Sequence, residues 1–251
     1  MPTSTRKGCA FVADPDPGRG AAGQVLARSP IAPAPPVAVV DGWEVSARRA
    51  GGPLRLVDCT PLAKVLVRAR TGGVVAALLG VGHGRAARDG HGTLVVGSGP
   101  TEWLLLAPPG DAEAVAARVQ AAADGDDDLV SVVSLVTHGR ALMRLTGAAA
   151  PRLLAKVCAI DLGDRPATAG RGEATPDGTA FRSSVARLAT DVIRDDLDGE
   201  RSYLLHCERS SGQYLWDCLL DAGAELGVEP DGFTAANSLG DHRTERSSGI
   251  P

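Results

Sequence analysis

The sequence predicts an α+β protein made of two similar strand–helix units, on three observations. Short alternating apolar runs are interleaved with helical patterns along the chain. Shifting the sequence by 76 positions lays Lys64-Val-Leu-Val-Arg68 over Arg140-Ala-Leu-Met-Arg144, and Ala77-Leu78 over Leu153-Leu154. The C-terminal third carries the clearest pair, a strand Tyr203–Glu208 followed by an amphipathic helix.

In chain order, residues 1–28 are polar and without periodicity and read as a tail. Residues 29–36, Ser-Pro-Ile-Ala-Pro-Ala-Pro-Pro, read as extended. Lys64–Ala69 alternates, with Val65, Val67 and Ala69 on one face and Lys64 and Arg68 on the other. A helix follows over Val74–Leu79, then a surface loop, Gly80-Val-Gly-His-Gly84. Trp103–Ala107 is continuously apolar and suits a strand buried on both faces. Asp111 is placed to cap a helix over Ala112–Ala123, and the acidic run Asp124–Asp128 reads as a solvated loop. Because the repeat shift is even, Val65 and Val67 match Ala141 and Met143 in facing as well as in position. Each unit reads as strand, Gly-containing turn and helix.

In the closing pair, Tyr203, Leu205 and Cys207 share one side and His206 points to the other, towards solvent or an interface. Ser210 and Gln213 have the spacing of a capping box for a helix to Leu226. Leu215, Leu219, Ala222 and Leu226 form its apolar stripe; Gly227 and Pro230 stop it. The main domain therefore spans residues 29–232, with halves at 54–124 and 130–227, and residues 235–251 read as a second tail.

Composition bounds the function. A formal net charge of −4 gives no basic field for nucleic acid or an anionic membrane, and the arginines are scattered. No apolar stretch reaches bilayer-spanning length and no leader pattern is present, so a cytoplasmic location is expected. Five cysteines, odd in number and without metal or redox spacing, read as reduced and mostly buried thiols. With only 3% aromatic residues, the core must be filled by Leu, Val and Ala.

The search for chemistry finds little. Gly80–Gly84 lacks the third glycine of a dinucleotide loop, Arg85 standing in its place. His83, Asp89 and His91 are close in sequence but unorganised by any helix face. Ser134 and His138 supply a hydroxyl and an imidazole without an orienting carboxylate. Trp103 and Trp216 read first as core, although Trp216, beside Leu220, is also placed to extend a buried face towards a partner. No catalytic, cofactor-binding or metal residue is assigned.

Four segments carry a family resemblance. Tyr203–Ala222, with Arg209-Ser210 followed by Tyr214-Leu215-Trp216, resembles the closing strand and helix of gamma subunits of heterotetrameric sarcosine oxidase. Ser29–Ala32, Glu102–Gly110 and Gly139–Leu162 resemble that family's start, central strand and following segment. The family is similar in fold to the folate-binding aminomethyltransferase of the glycine cleavage system. The resemblance implies an accessory, structural subunit of a complex that demethylates sarcosine to glycine, releasing hydrogen peroxide and a one-carbon unit. It implies alpha, beta and delta partner subunits that hold FAD, FMN, NAD and zinc, with tetrahydrofolate as one-carbon acceptor. Arg209, Tyr214 and Trp216 become candidate partner-interface residues. The chain departs from these patterns where aminomethyltransferases carry an acidic pair, reading Gly90-His91-Gly92-Thr93, and at Ser211-Gly212, where a bulky aromatic is expected in first place. The rival reading is a free-standing folate-binding protein or an aminomethyltransferase-like enzyme; a different N-methyl amine as the complex's substrate is a third.

Overall fold

The computed structural model describes residues 26–124, 132–162 and 175–240. Within them the chain first forms β1 (Ala27–Arg28), β2 (Val37–Val40) and β3 (Trp43–Ser46), a small sheet in the order β1-β3-β2. Asp41 and Gly42, with φ 48° and 78°, make the β2–β3 turn. This is the Asp-Gly hairpin chemistry that matches strand twist. Then come β4 (Leu54–Asp58), β5 (Ala63–Arg68), α1 (Val74–Leu79), β6 (Ala86–Arg88), β7 (Leu94–Gly99), β8 (Glu102–Ala107) and α2 (Ala112–Ala123). The second series is β9 (Val132–Leu135), β10 (Arg140–Thr146), α3 (Ala150–Val157), β11 (Ala180–Val185), β12 (Leu188–Arg194), β13 (Ser202–Glu208) and α4 (Gly212–Gly223). β14 (Val228–Asp231) and α5 (Ala235–Leu239) follow.

The order strand, strand, helix, three strands, helix thus occurs twice, and the 76-residue shift maps β5 onto β10. One sheet runs β6-β7-β8-β5-β9 and the other β11-β12-β13-β10-β4-β14. The leading strands are exchanged: β4 pairs antiparallel with β10, and β9 pairs antiparallel with β5. Each sheet is therefore completed by a strand from the other half.

Three apolar cores define the layers. Val65, Val67, Val95, Trp103 and Leu105 pack under α1 and α2. Met143, Leu145, Tyr203, Leu205 and Cys207 pack under α3 and α4. Leu94, Leu104 and Leu106 of one sheet meet Leu142, Ile193 and Leu204 of the other. The molecule is a helix–sheet–sheet–helix sandwich. Gly147 follows β10 at φ 141°, where a Cβ would lie 2.2 Å from the Pro53 carbonyl oxygen, so the strand can pass β4 only without a side chain.

Several expectations change. Gly80–Gly84 is stitched to both sheets: the Gly84 amide donates to Gly97 (2.9 Å), and Ala180 donates to the Gly84 carbonyl (2.9 Å). Ala27–Arg28 and Ala235–Leu239, read as tail, form a strand and a helix. Thr234 and Asn237 close a capping box there, and Leu239 is buried. The box expected at Ser210 and Gln213 does not form, because Arg209–Ser211 is a 3-10 turn and α4 starts at Gly212. The Gln213 side chain instead accepts from the Ala32 amide at 2.7 Å, holding the Pro-rich segment. Gly212 is required in that contact, since a Cβ would lie 2.8 Å from both Pro30 and Ala141. Asp111 takes the N-cap position without a side-chain bond. The acidic run after Asp124 lies outside the described residues, as do residues 1–25 and 241–251 of the two tails.

Candidate functional site

Where the two sheets face one another, β13 is buried on both sides and the contact carries a strip of charge. Sequence alternation put Lys64 on the polar face of β5 and His206 towards solvent or an interface; both are buried, at 0% and 4% exposure. The reason is the second sheet, which covers the faces that a two-layer protein would leave wet.

Arg144 is also 0% exposed, and all three of its side-chain nitrogens donate. Nε donates to the Ser238 carbonyl (2.9 Å), Nη1 to the Asp195 carbonyl (2.7 Å) and Ser202 Oγ (2.8 Å), and Nη2 to the Asp195 carboxylate. Arg88 shares that carboxylate at 3.0 Å, so one acid on β12's end bridges both sheets. A second chain of charges also crosses: Arg68–Glu102 (2.8 Å), Glu102–Arg182 (3.6 Å), Arg182–Asp191 (2.6 Å) and Asp191–His206 (3.0 Å). Burial tends to raise the Asp191 pKa, but hydrogen bonds from His206 and Arg182 outweigh it and hold it below the ordinary range. Burial pushes the His206 imidazole pKa down against the pull of Asp191, which favours the neutral ring. Among the described residues His206 Nε2 has no partner.

Lys64 Nζ donates to the carbonyls of Thr60 (2.7 Å) and Leu62 (2.9 Å). Burial lowers its pKa to about 7, partly opposed by Asp58. Apart from His206 Nε2 and one Arg88 nitrogen, these groups bond to one another and to backbone. Their chemistry is cohesion between sheets. Sequence reasoning missed them because each needs the opposing sheet; the available signal was a charge set among apolar neighbours, as in Leu142-Met-Arg-Leu145.

The residues named from sequence separate. Arg209 is a clasp, donating to the Arg28 carbonyl at 2.7 Å and the His138 carbonyl at 3.4 Å. Trp216 is 7% exposed and lines a small pocket together with the chain's own Ile31, Pro33, Pro230 and Phe233. Tyr214, on the opposite side of α4, is 52% exposed and stands in a groove with Lys156, Arg187 and Cys218. Asp89 is not poised for a ligand: Oδ1 accepts from the His91 and Thr93 amides, both at 2.9 Å, and Oδ2 from Arg118 at 2.7 Å. It closes a turn and anchors α2 through Arg118. His138 stacks on Trp43 rather than meeting Ser134.

Residues 63–247 match the GCVT N-terminal domain family, and the chain belongs to that family. The more particular likeness is to sarcosine oxidase subunit gamma of Corynebacterium sp. (strain P-1), 29% identical over 71% of this chain and 84% of the relative. The aminomethyltransferase of Geobacillus thermodenitrificans (strain NG80-2) is 34% identical over 58% of this chain, which spans only 36% of that protein's length. Among solved structures, heterotetrameric sarcosine oxidase from Corynebacterium sp. U-96 contains a chain that superposes with TM-score 0.58 at 26% identity, covering 73% of this chain and 90% of that one. Aminomethyltransferase T from Bartonella henselae shares the fold, with TM-score 0.56 at 16% identity over 81% of this chain and 56% of its own.

Proposed function

We propose that this chain is the gamma subunit of a heterotetrameric sarcosine oxidase, acting as a structural member of the assembly. The observation that carries this reading is coverage: the likeness takes in 84% of a gamma subunit but 36% of an aminomethyltransferase. The interior supports it, because the inter-sheet charges are committed to one another and Asp89 is committed to a turn. FAD, FMN, NAD and zinc would then belong to the alpha, beta and delta subunits, with tetrahydrofolate accepting the one-carbon unit elsewhere in the complex. Arg209, Tyr214 and Trp216 are the partner-contact candidates named from sequence, and Tyr214 is the more exposed of the two that α4 carries.

The test is to purify the tagged chain from its source organism and record the flavin spectrum and identities of whatever co-elutes. A yellow assembly of larger chains that oxidises sarcosine is the expected result. A colourless, stable, solitary chain that binds tetrahydrofolate would overturn the reading in favour of a free-standing folate protein.

A further inference from the structure

We infer that the cleft beside Trp43 is a socket for an arginine side chain of a partner subunit; this rests on the gamma-subunit reading above. The cleft has a volume of about 400 Å³ and lies where the β2–β3 turn, the start of α2 and the turn Thr137–Gly139 converge. One wall is a stacked pair, Trp43 and His138, with ring centroids 5.0 Å apart and planes inclined by 11°. Trp43 is buried and His138 exposed, so the imidazole is the outward member.

The lining's carboxylates are Asp41 and Glu113, and it holds no lysine or arginine. Both carboxylates are exposed, and among the described residues neither is in an ion pair. Three other surface clefts carry cations of their own: Lys156 and Arg187 in one, Arg209 in another, Arg118 in a third. The small pocket beside Trp216 holds Asp58 and Asp231, but without an aromatic pair stacked at its wall. An acidic cleft with a flat aromatic wall is complementary to a guanidinium. The planar group can lie against the imidazole while its fork of donors reaches carboxylates, which an ammonium cannot do equally well. The cleft also borders β9, the edge strand of its sheet, where Val132 and Leu135 are about half exposed. An apolar rim around a charged anchor is the arrangement in which one arginine dominates binding.

The test compares the wild-type chain with Asp41→Asn/Glu113→Gln for affinity towards the partner subunits, identified by mass and flavin absorbance. Asparagine keeps the left-handed turn at position 41. A fall in affinity of roughly 30-fold, with a shallower salt dependence, is the expected result. His138→Ala is the second variant, removing the stacking wall without touching charge, and should also weaken binding. Equal affinity and equal salt dependence in the wild type and both variants would overturn the socket while leaving the gamma-subunit reading intact. Failure of the wild type itself to bind any such partner would instead remove both.

Discussion

Lys64 makes the stability of this protein depend on pH in an unusual direction. Its folded pKa of about 7 lies below the ordinary 10.5, because burial penalises the ammonium more than Asp58 and two carbonyls compensate. Between these values the unfolded chain holds the proton and the folded chain releases it, so raising the pH favours the folded state. The stability is gained as pH rises from about 7 towards 10.5 and lost again as it falls; the full window is worth about 5 kcal/mol, and the span from pH 7 to 9 about 2 kcal/mol. Above pH 9 the cysteines oppose this. Burial raises Cys59 to about 12 and Cys207 to about 11 from 9.0, so the folded state holds protons that the unfolded one gives up. Urea unfolding at pH 7, 8 and 9 should therefore show a rising midpoint at constant m. Lys64→Met removes the ionisable group and should flatten the profile. Its absolute stability is a poorer readout, since the Thr60 and Leu62 carbonyls lose their donor at about 1–3 kcal/mol each. A flat or falling wild-type profile between pH 7 and 9, or the same rise in the variant, would refute the argument.

Asp195→Ala leaves two guanidiniums, one of them fully buried, without their shared carboxylate. It should cost about 3–5 kcal/mol, read as a lower urea midpoint at pH 7. Leu219→Ala empties a fully buried position under α4 and should cost about 2–5 kcal/mol by the same measurement. Gly147→Ala drives a methyl into the Pro53 carbonyl at positive φ and should lower the melting temperature by more than a typical surface substitution in a calorimetric scan. Acidification should destabilise the fold below the ordinary imidazole range, because folding lowers the His206 pKa and protonation favours the unfolded chain. Replacing His206 by Gln should remove that part of the acid response in a pH titration of the unfolding midpoint.

Local pattern determined much of the architecture. The even shift from Lys64 to Arg140 identified β5 and β10 as counterparts, and the helices Val74–Leu79 and Ala112–Ala123 stand where periodicity placed them. The continuous apolar run of β8 announced burial on both faces, since alternation is lost when neither face is wet. Tertiary structure decided the rest. The exchange of β4 and β9 between halves depends on pairings far apart in sequence, which no local period encodes. The second sheet buried Lys64 of β5 and His206 of β13, while Arg68 at the end of β5 stays exposed. Lys64, Arg144 and His206 were therefore legible as charged residues but not as buried ones. Trp216 was legible as apolar; only the fold brings the Pro-rich segment beside it. The Trp43–His138 cleft joins residues separated by almost a hundred positions, and its complementarity to a cation arises only when three turns meet.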